Sequence, residues 1–181
     1  MTPEHFELLE EARSSLPDGF KVEISGDTIT MAVSPSGIHQ RNLLMVRRQF
    51  DAHTPAGLLP SENTDLVSPV VGKSRNPDLT YLPDDALSTT DNQVPAELAA
   101  IAVELVSPSN PENDWVGKLR DYPLMGIPLY LLIDAREKSV TLFSRPDATR
   151  YHRREDAGFG EALHIPAPFD FELVTDGLLP Y

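Results

Sequence analysis

The segment Ala99-Ala-Ile-Ala-Val-Glu-Leu-Val106 constrains the fold more than any other stretch of the chain. It is apolar almost throughout, and a strand that is apolar on both faces has to be covered on both faces. Such a strand belongs inside a sheet with helices packed on either side. Its one exception is Glu104. Side chains alternate across a strand, so Ile101, Val103 and Leu105 share one face while Ala102, Glu104 and Val106 share the other. A lone carboxylate in that setting is costly, and glutamate is rarely buried without a partner. Either Glu104 reaches solvent or an arginine at the strand end, or it belongs to a buried acidic site.

The rest of the pattern fits a mixed sheet flanked by helices. Residues 2–14 predict a helix capped by Thr2, with Pro3 at its first position. Two alternating runs, 20–25 and 28–33, flank Gly26-Asp27 and predict a hairpin. A helix of about 15 residues opens at Ser36-Gly37. His39, Asn42, Leu43, Val46 and Phe50 share its apolar face by their spacings of three and four. Strands are expected over 65–71, 77–82, 99–106 and 127–133, with a helix from Asp114 to about Met125. Pro123 should kink that helix or end it after Tyr122. Residues 140–143 and 149–152 predict a second hairpin, and 165–179 short irregular pieces. With no repeat or linker, residues 1–181 read as a single α/β domain.

The chain has no cysteine, which removes disulfides, zinc–thiolate sites and thiol nucleophiles and agrees with a reducing cytoplasm. No apolar run is long enough to cross a membrane, and the acidic first residues do not form a signal peptide. Fifteen Lys and Arg against 28 Asp and Glu leave a net charge of −13. That field repels DNA at long range, so a nucleic-acid partner is disfavoured unless a local groove or a second protein compensates. Edge strands and apolar tail residues such as Leu178 and Leu179 call for cover, which points to a homo-oligomer, a dimer first.

A second carboxylate gives Glu104 its meaning. Asp78 stands in Asn76-Pro77-Asp78-Leu79, where proline imposes an extended entry into the next strand. Read alone, it is an Asx turn. If its strand neighbours that of Glu104, the two acids meet at one end of the sheet. Like charges about 4 Å apart repel by roughly 4 kcal/mol at an effective dielectric near 20. One of them then protonates, or a cation sits between them. Oxygen-only ligation points to Mg²⁺ or Mn²⁺, which can activate water and hold a phosphate oxygen.

Asn76-Pro-Asp78-Leu79, then Val103-Glu104-Leu-Val-Ser107-Pro-Ser109, then Asp114, Lys118, Tyr122, Gly126-Ile-Pro, Tyr130 and Asp134 at their spacings resemble a large bacterial restriction endonuclease family. That family was once known only as a domain of unknown function. The resemblance implies the restriction-endonuclease-like core of PD-(D/E)xK enzymes and a metal-dependent endonuclease acting on DNA. By position it makes Asp78 and Glu104 the metal ligands and, with Lys118, the catalytic group. Val106 stands where the simple motif has its lysine, and Lys118 on the following helix is the substitute. An ordinary Asp114–Lys118 helix pair is the plainer reading of that lysine. Tyr122 continues the same helix face and, with His39, is a candidate for contacting substrate; a buried tyrosine and a core histidine are the plainer readings. Glu62 is a candidate outer acid or a solvated one. Leu129 replaces a glutamate that relatives often carry.

Gly72-Lys73-Ser74 lacks the glycine that a phosphate loop requires five residues earlier, and the scattered histidines lack zinc spacing. Arg150, Arg153 and Arg154 read as protective charge on an edge hairpin. Beside the nuclease stands a second expectation, prompted by Val106, Leu129 and the acidity: a nuclease fold kept as a binding or assembly module without turnover.

Overall fold

The computed structural model describes residues 35–181 and the backbone of two strands, 21–25 and 28–32. The helix expected over 2–14 lies outside the described residues. The two strands, β1 (Lys21–Ser25) and β2 (Thr28–Ala32), pair antiparallel across Gly26-Asp27, from Lys21 opposite Ala32 to Ser25 opposite Thr28.

Helix α1 runs Gly37–His53. Ser36 caps it, its side chain accepting a hydrogen bond from the His39 amide at 3.3 Å. Its buried residues are His39, Asn42, Leu43, Val46 and Phe50, the five that the spacing selects. After it come β3 (Leu58–Ser61), β4 (Asp65–Ser68), β5 (Lys73–Arg75), β6 (Leu79–Pro83), the single turn α2 (Asp84–Leu87), β7 (Gln93–Pro95) and β8 (Ile101–Leu105). A π-helical segment, Asn113–Lys118, leads into α3 (Leu119–Leu124), followed by β9 (Leu129–Asp134), β10 (Ser139–Pro146), β11 (Tyr151–Gly158), β12 (Ala162–Ile165) and β13 (Phe171–Val174).

The large sheet is mixed, in the order β11-β10-β9-β8-β6-β3. Only β8 and β9 run parallel, because the helical segment between them carries the chain back to the starting edge. A second sheet has the order β2-β1-β5-β4-β7, and β12 pairs with β13. The alternation along β8 sorts the two cores. Ile101, Val103 and Leu105 pack with Leu43, Val46 and Phe50 of α1 and with Phe169, Phe171 and Leu173 of the tail. Ala102 and Val106 pack on the opposite side, with Tyr122, Met125, Ile127 and Tyr130. All of β8 is buried, as an apolar central strand requires.

Several expectations shift. Pro123 does not break the helix after Tyr122: it lies inside α3, one residue before its end. The helix closes in a Schellman turn, with Gly126 at φ +85° and the Ile127 and Gly126 amides donating to Tyr122 and Pro123 carbonyls at 3.1 and 3.2 Å. That closure delays the next strand to Leu129. The expected strand 65–71 ends at Ser68, before Pro69. The second hairpin is longer than predicted, pairing Ser139 with Gly158 through Pro146 with Tyr151. Of the irregular or short pieces expected over 165–179, the short ones are strands: Ala162–Ile165 and Phe171–Val174 pair as a hairpin. Leu178 is already covered, 6% exposed in the α1-side core, whereas Leu179 remains 40% exposed.

Candidate active site

The site grows from the pairing of β6 with β8. The two are antiparallel, with Leu79 opposite Val103, and Asp78 stands just before β6, beside Glu104 of β8. Pro77 has no amide hydrogen, so the ladder stops there. The Asp78 carboxylate takes over as acceptor: its Oδ2 receives the Leu105 amide at 2.9 Å. In return the Asp78 amide points at Glu104 Oε2, 3.4 Å away. The Asp78 side chain thus crosses to the neighbouring strand.

Glu104 is 1% exposed and does not reach solvent. Its Oε1 accepts a hydrogen bond from the Tyr122 hydroxyl. Its Oε2 lies 2.9 Å from the Lys118 ammonium. Lys118 also pairs with Asp114 at 3.0 Å, so the two readings of this lysine coincide: it is the i,i+4 partner of Asp114 and a neighbour of Glu104. Asp114 is not the cap of its own helix. Its other oxygen, Oδ2, accepts the Ser107 amide at 3.0 Å and ties the loop after β8 to the π-helical segment. Its backbone carbonyl accepts from Tyr130 at 3.0 Å. Burial, with Asp114 and Glu104 nearby, pushes the Tyr130 hydroxyl well above its usual range, so it keeps the proton that it donates.

From the other side of the sheet, α1 brings His39 to the same place. His39 is 8% exposed, and its Nε2 lies 3.3 Å from Asp78 Oδ2. The two atoms are close enough to pair but are not aligned as a hydrogen bond, and His39 Nε2 is buried without one. Tyr122 is wholly buried and contacts the acid directly rather than facing outward to substrate. Thus Asp78, Glu104, Lys118, Tyr122 and His39 share one location at the C-terminal end of β8. Glu62 does not join them; it pairs with Arg47 at 2.7 Å near the surface. Arg153 and Arg154 pair with Glu155 and Asp156 on β11. Leu129 is buried in the α1-side core.

The sequence reading missed two neighbours. One is Asp114, for which the spacing alone predicts a helix pair with Lys118. Its signal was the spacing to Lys118 combined with a Ser-Pro-Ser loop that leaves amides to satisfy. The other is Asp121, which draws Arg75 (2.5 Å), Lys73 (3.2 Å) and Arg120 (2.9 Å) together beside the site. Gly117 makes room for this group, since a Cβ there would stand 3.4 Å from Arg75 Nη2 and 3.1 Å from Asn113 Oδ1. Nothing in the local pattern of Lys73-Ser-Arg75 marks it for burial.

Among the described residues, no three acidic or histidine side chains stand ready-arranged as metal ligands, and no helix is long and apolar enough to cross a membrane. No curated protein matches the chain. A similar solved structure is that of a putative nuclease belonging to DUF820 from Anabaena variabilis ATCC 29413. It superposes with a TM-score of 0.71 at 16% identity, covering 94% of this chain and 96% of that one. At that identity the likeness speaks for the fold: a mixed α/β architecture shared with a nuclease-like neighbour. The family model described as "Uma2: Putative restriction endonuclease" matches residues 3–176, and the chain belongs to that family.

Proposed function

We propose that the chain is a divalent-metal-dependent endonuclease that hydrolyses DNA phosphodiester bonds at Asp78 and Glu104. The observation that supports this most is the closeness of these two acids at the end of β8, the Asp78 amide 3.4 Å from Glu104 Oε2, with the Lys118 ammonium 2.9 Å from the same oxygen. The donor set suits a hard cation: both side chains offer oxygen. Mg²⁺ commonly keeps several waters and needs only one or two protein carboxylates. Asp78 and Glu104 would hold Mg²⁺ or Mn²⁺. When bound, such an ion supplies a Lewis acid at the phosphate and a more acidic water.

The chain's own residues do the rest. Tyr122 fixes the Glu104 carboxylate by donating to Oε1, and the Leu105 amide fixes Asp78. Lys118, held between Glu104 and Asp114, is a cation that can turn toward a phosphate oxygen or an attacking water. Burial strengthens each of these charge interactions relative to water. The net charge of −13 makes encounter with DNA slow and salt-sensitive, which suits a substrate delivered by a partner or a second copy of the chain.

A second reading, a module that binds without turnover, draws on the same acidity and on Val106 in the usual lysine position. Plasmid nicking separates the two. Purified protein is expected to nick supercoiled DNA with Mg²⁺ or Mn²⁺, and Asp78→Ala to abolish it. Full activity in that variant would remove the mechanism, and metal binding without nicking by the unaltered protein would favour the module.

A further inference from the structure

The two edges of the large sheet are built differently. One is β3 (Leu58–Ser61), four residues interrupted by Pro60, which has no amide hydrogen to offer. The other is β11 (Tyr151–Gly158), eight residues without a proline. Among the described residues no strand pairs with its outer side. A long edge strand presents a row of amide and carbonyl groups that another strand can bond. Charge protects such an edge when it is of one sign, and the arginines alone would do so. Here Arg153 and Arg154 are followed at once by Glu155 and Asp156, and each arginine pairs with the acid two residues on, at 2.7 and 2.8 Å. A strand that runs basic and then acidic is complementary to its own reverse.

We propose that β11 is the surface through which two copies of this chain associate, edge to edge and antiparallel, about a two-fold axis at Arg154. An isologous contact pairs residues symmetrically about one position. Centred on Arg154, it sets Arg153 of each copy opposite Glu155 of the other, a cation against an anion. It also sets His152 opposite Asp156, an imidazole against a carboxylate. Side chains directly opposite one another in an antiparallel pair are close enough to interact. The two Arg154 residues meet at the axis, but each guanidinium lies over Trp115 and Phe143, 5.6 and 5.7 Å from the ring centres, and pairs with Asp156 of its own strand. Centring on Glu155 would instead bring two half-buried carboxylates face to face. The pairing needs nothing buried to move, since His152, Arg153, Arg154 and Asp156 are exposed. It joins the two large sheets into one and does not depend on the chemistry at Asp78 and Glu104.

Sedimentation velocity of the full chain over a range of concentrations tests this, with thermal unfolding to show that each variant is folded. The unaltered protein should be dimeric. Arg153→Glu sets like charges opposite one another and should weaken the dimer about tenfold or more. Adding Glu155→Arg to that variant restores the complement and should restore the dimer. The chain has no cysteine, so Arg154→Cys introduces a single thiol. At the axis the two Cα atoms stand within reach of a disulfide, and oxidation should link the copies. Arg153→Cys, which faces Glu155 of the other copy, should link far less. A monomer at every concentration overturns the proposal. So does a dimer that ignores Arg153→Glu and is not linked through Arg154→Cys, or a folded charge swap that fails to restore association.

Discussion

Two charge clusters with buried carboxylates lie along the helical segment 113–124, and among the described residues they are built in opposite proportions. Around Asp121, one carboxylate gathers Arg75, Lys73 and Arg120. Burial opposes its charge, yet the hydrogen bond from Arg120 and the Arg75 guanidinium outweigh it, and the carboxyl is held down at about 2. At the end of β8 the ratio reverses: Lys118 is shared by Glu104 and Asp114, and Asp78 adjoins them. The first arrangement is that of a structural ion pair, in which cations ensure that the acid stays charged. In the second, carboxylates gather around a shared cation, the arrangement on which the proposed metal site rests. Burial alone does not distinguish the two clusters; their composition does.

The sharpest way to break this contrast is to make an isosteric change in each cluster and compare. Glu104→Gln keeps the shape and removes the charge. It should lower metal-dependent nicking on the order of 10³-fold, since several kcal/mol of transition-state stabilisation depend on the ion. Nicking rates at saturating Mn²⁺ give the answer. Asp121→Asn should do the opposite: it removes the charge that the buried Arg75 pairs with and costs about 3–5 kcal/mol of stability, with activity per folded molecule unchanged. Denaturant unfolding measures this loss. The effect also has a pH signature. The folded value of Asp121 lies below the ordinary 3.8, so its contribution is present above 3.8 and fades as pH falls through about 2. The unaltered protein and Asp121→Asn should therefore converge in stability at the acid end of that window.

Lys118→Met sharpens the comparison with a smaller effect. Nicking should fall on the order of 10²-fold, the usual cost of one electrostatic stabiliser. Added Mn²⁺ should raise the melting temperature of this variant more than that of the unaltered protein, because the ion then supplies the missing positive charge. An equal rise in both proteins would mean that Lys118 and the metal do not share a role.

How much of this could be read from the sequence depends on how local the cause is. The buried face of α1 follows from Ser36 and a spacing of three and four, and Glu104 announces itself by interrupting an apolar strand. The convergence of Asp78 with Glu104 needed only that their strands be neighbours. The short strands β3, β5 and β7 were not legible, since they contain Pro60, Lys73, Arg75 and Pro95 and carry no alternating apolar signal. Their form is imposed by pairing with distant strands. The Asp121 cluster was hidden for the same reason, with Arg75 and Asp121 separated by 46 residues. The π-helical turn at Asn113–Lys118 read as ordinary helix, because its composition does not encode the wider winding.

The central claim is that Asp78 and Glu104 together hold a divalent ion, and calorimetric titration with Mn²⁺ tests it most directly. The account predicts saturable binding to the unaltered chain, lost in both Asp78→Ala and Glu104→Ala while each variant still unfolds cooperatively. Unchanged Mn²⁺ binding in either folded variant would contradict it.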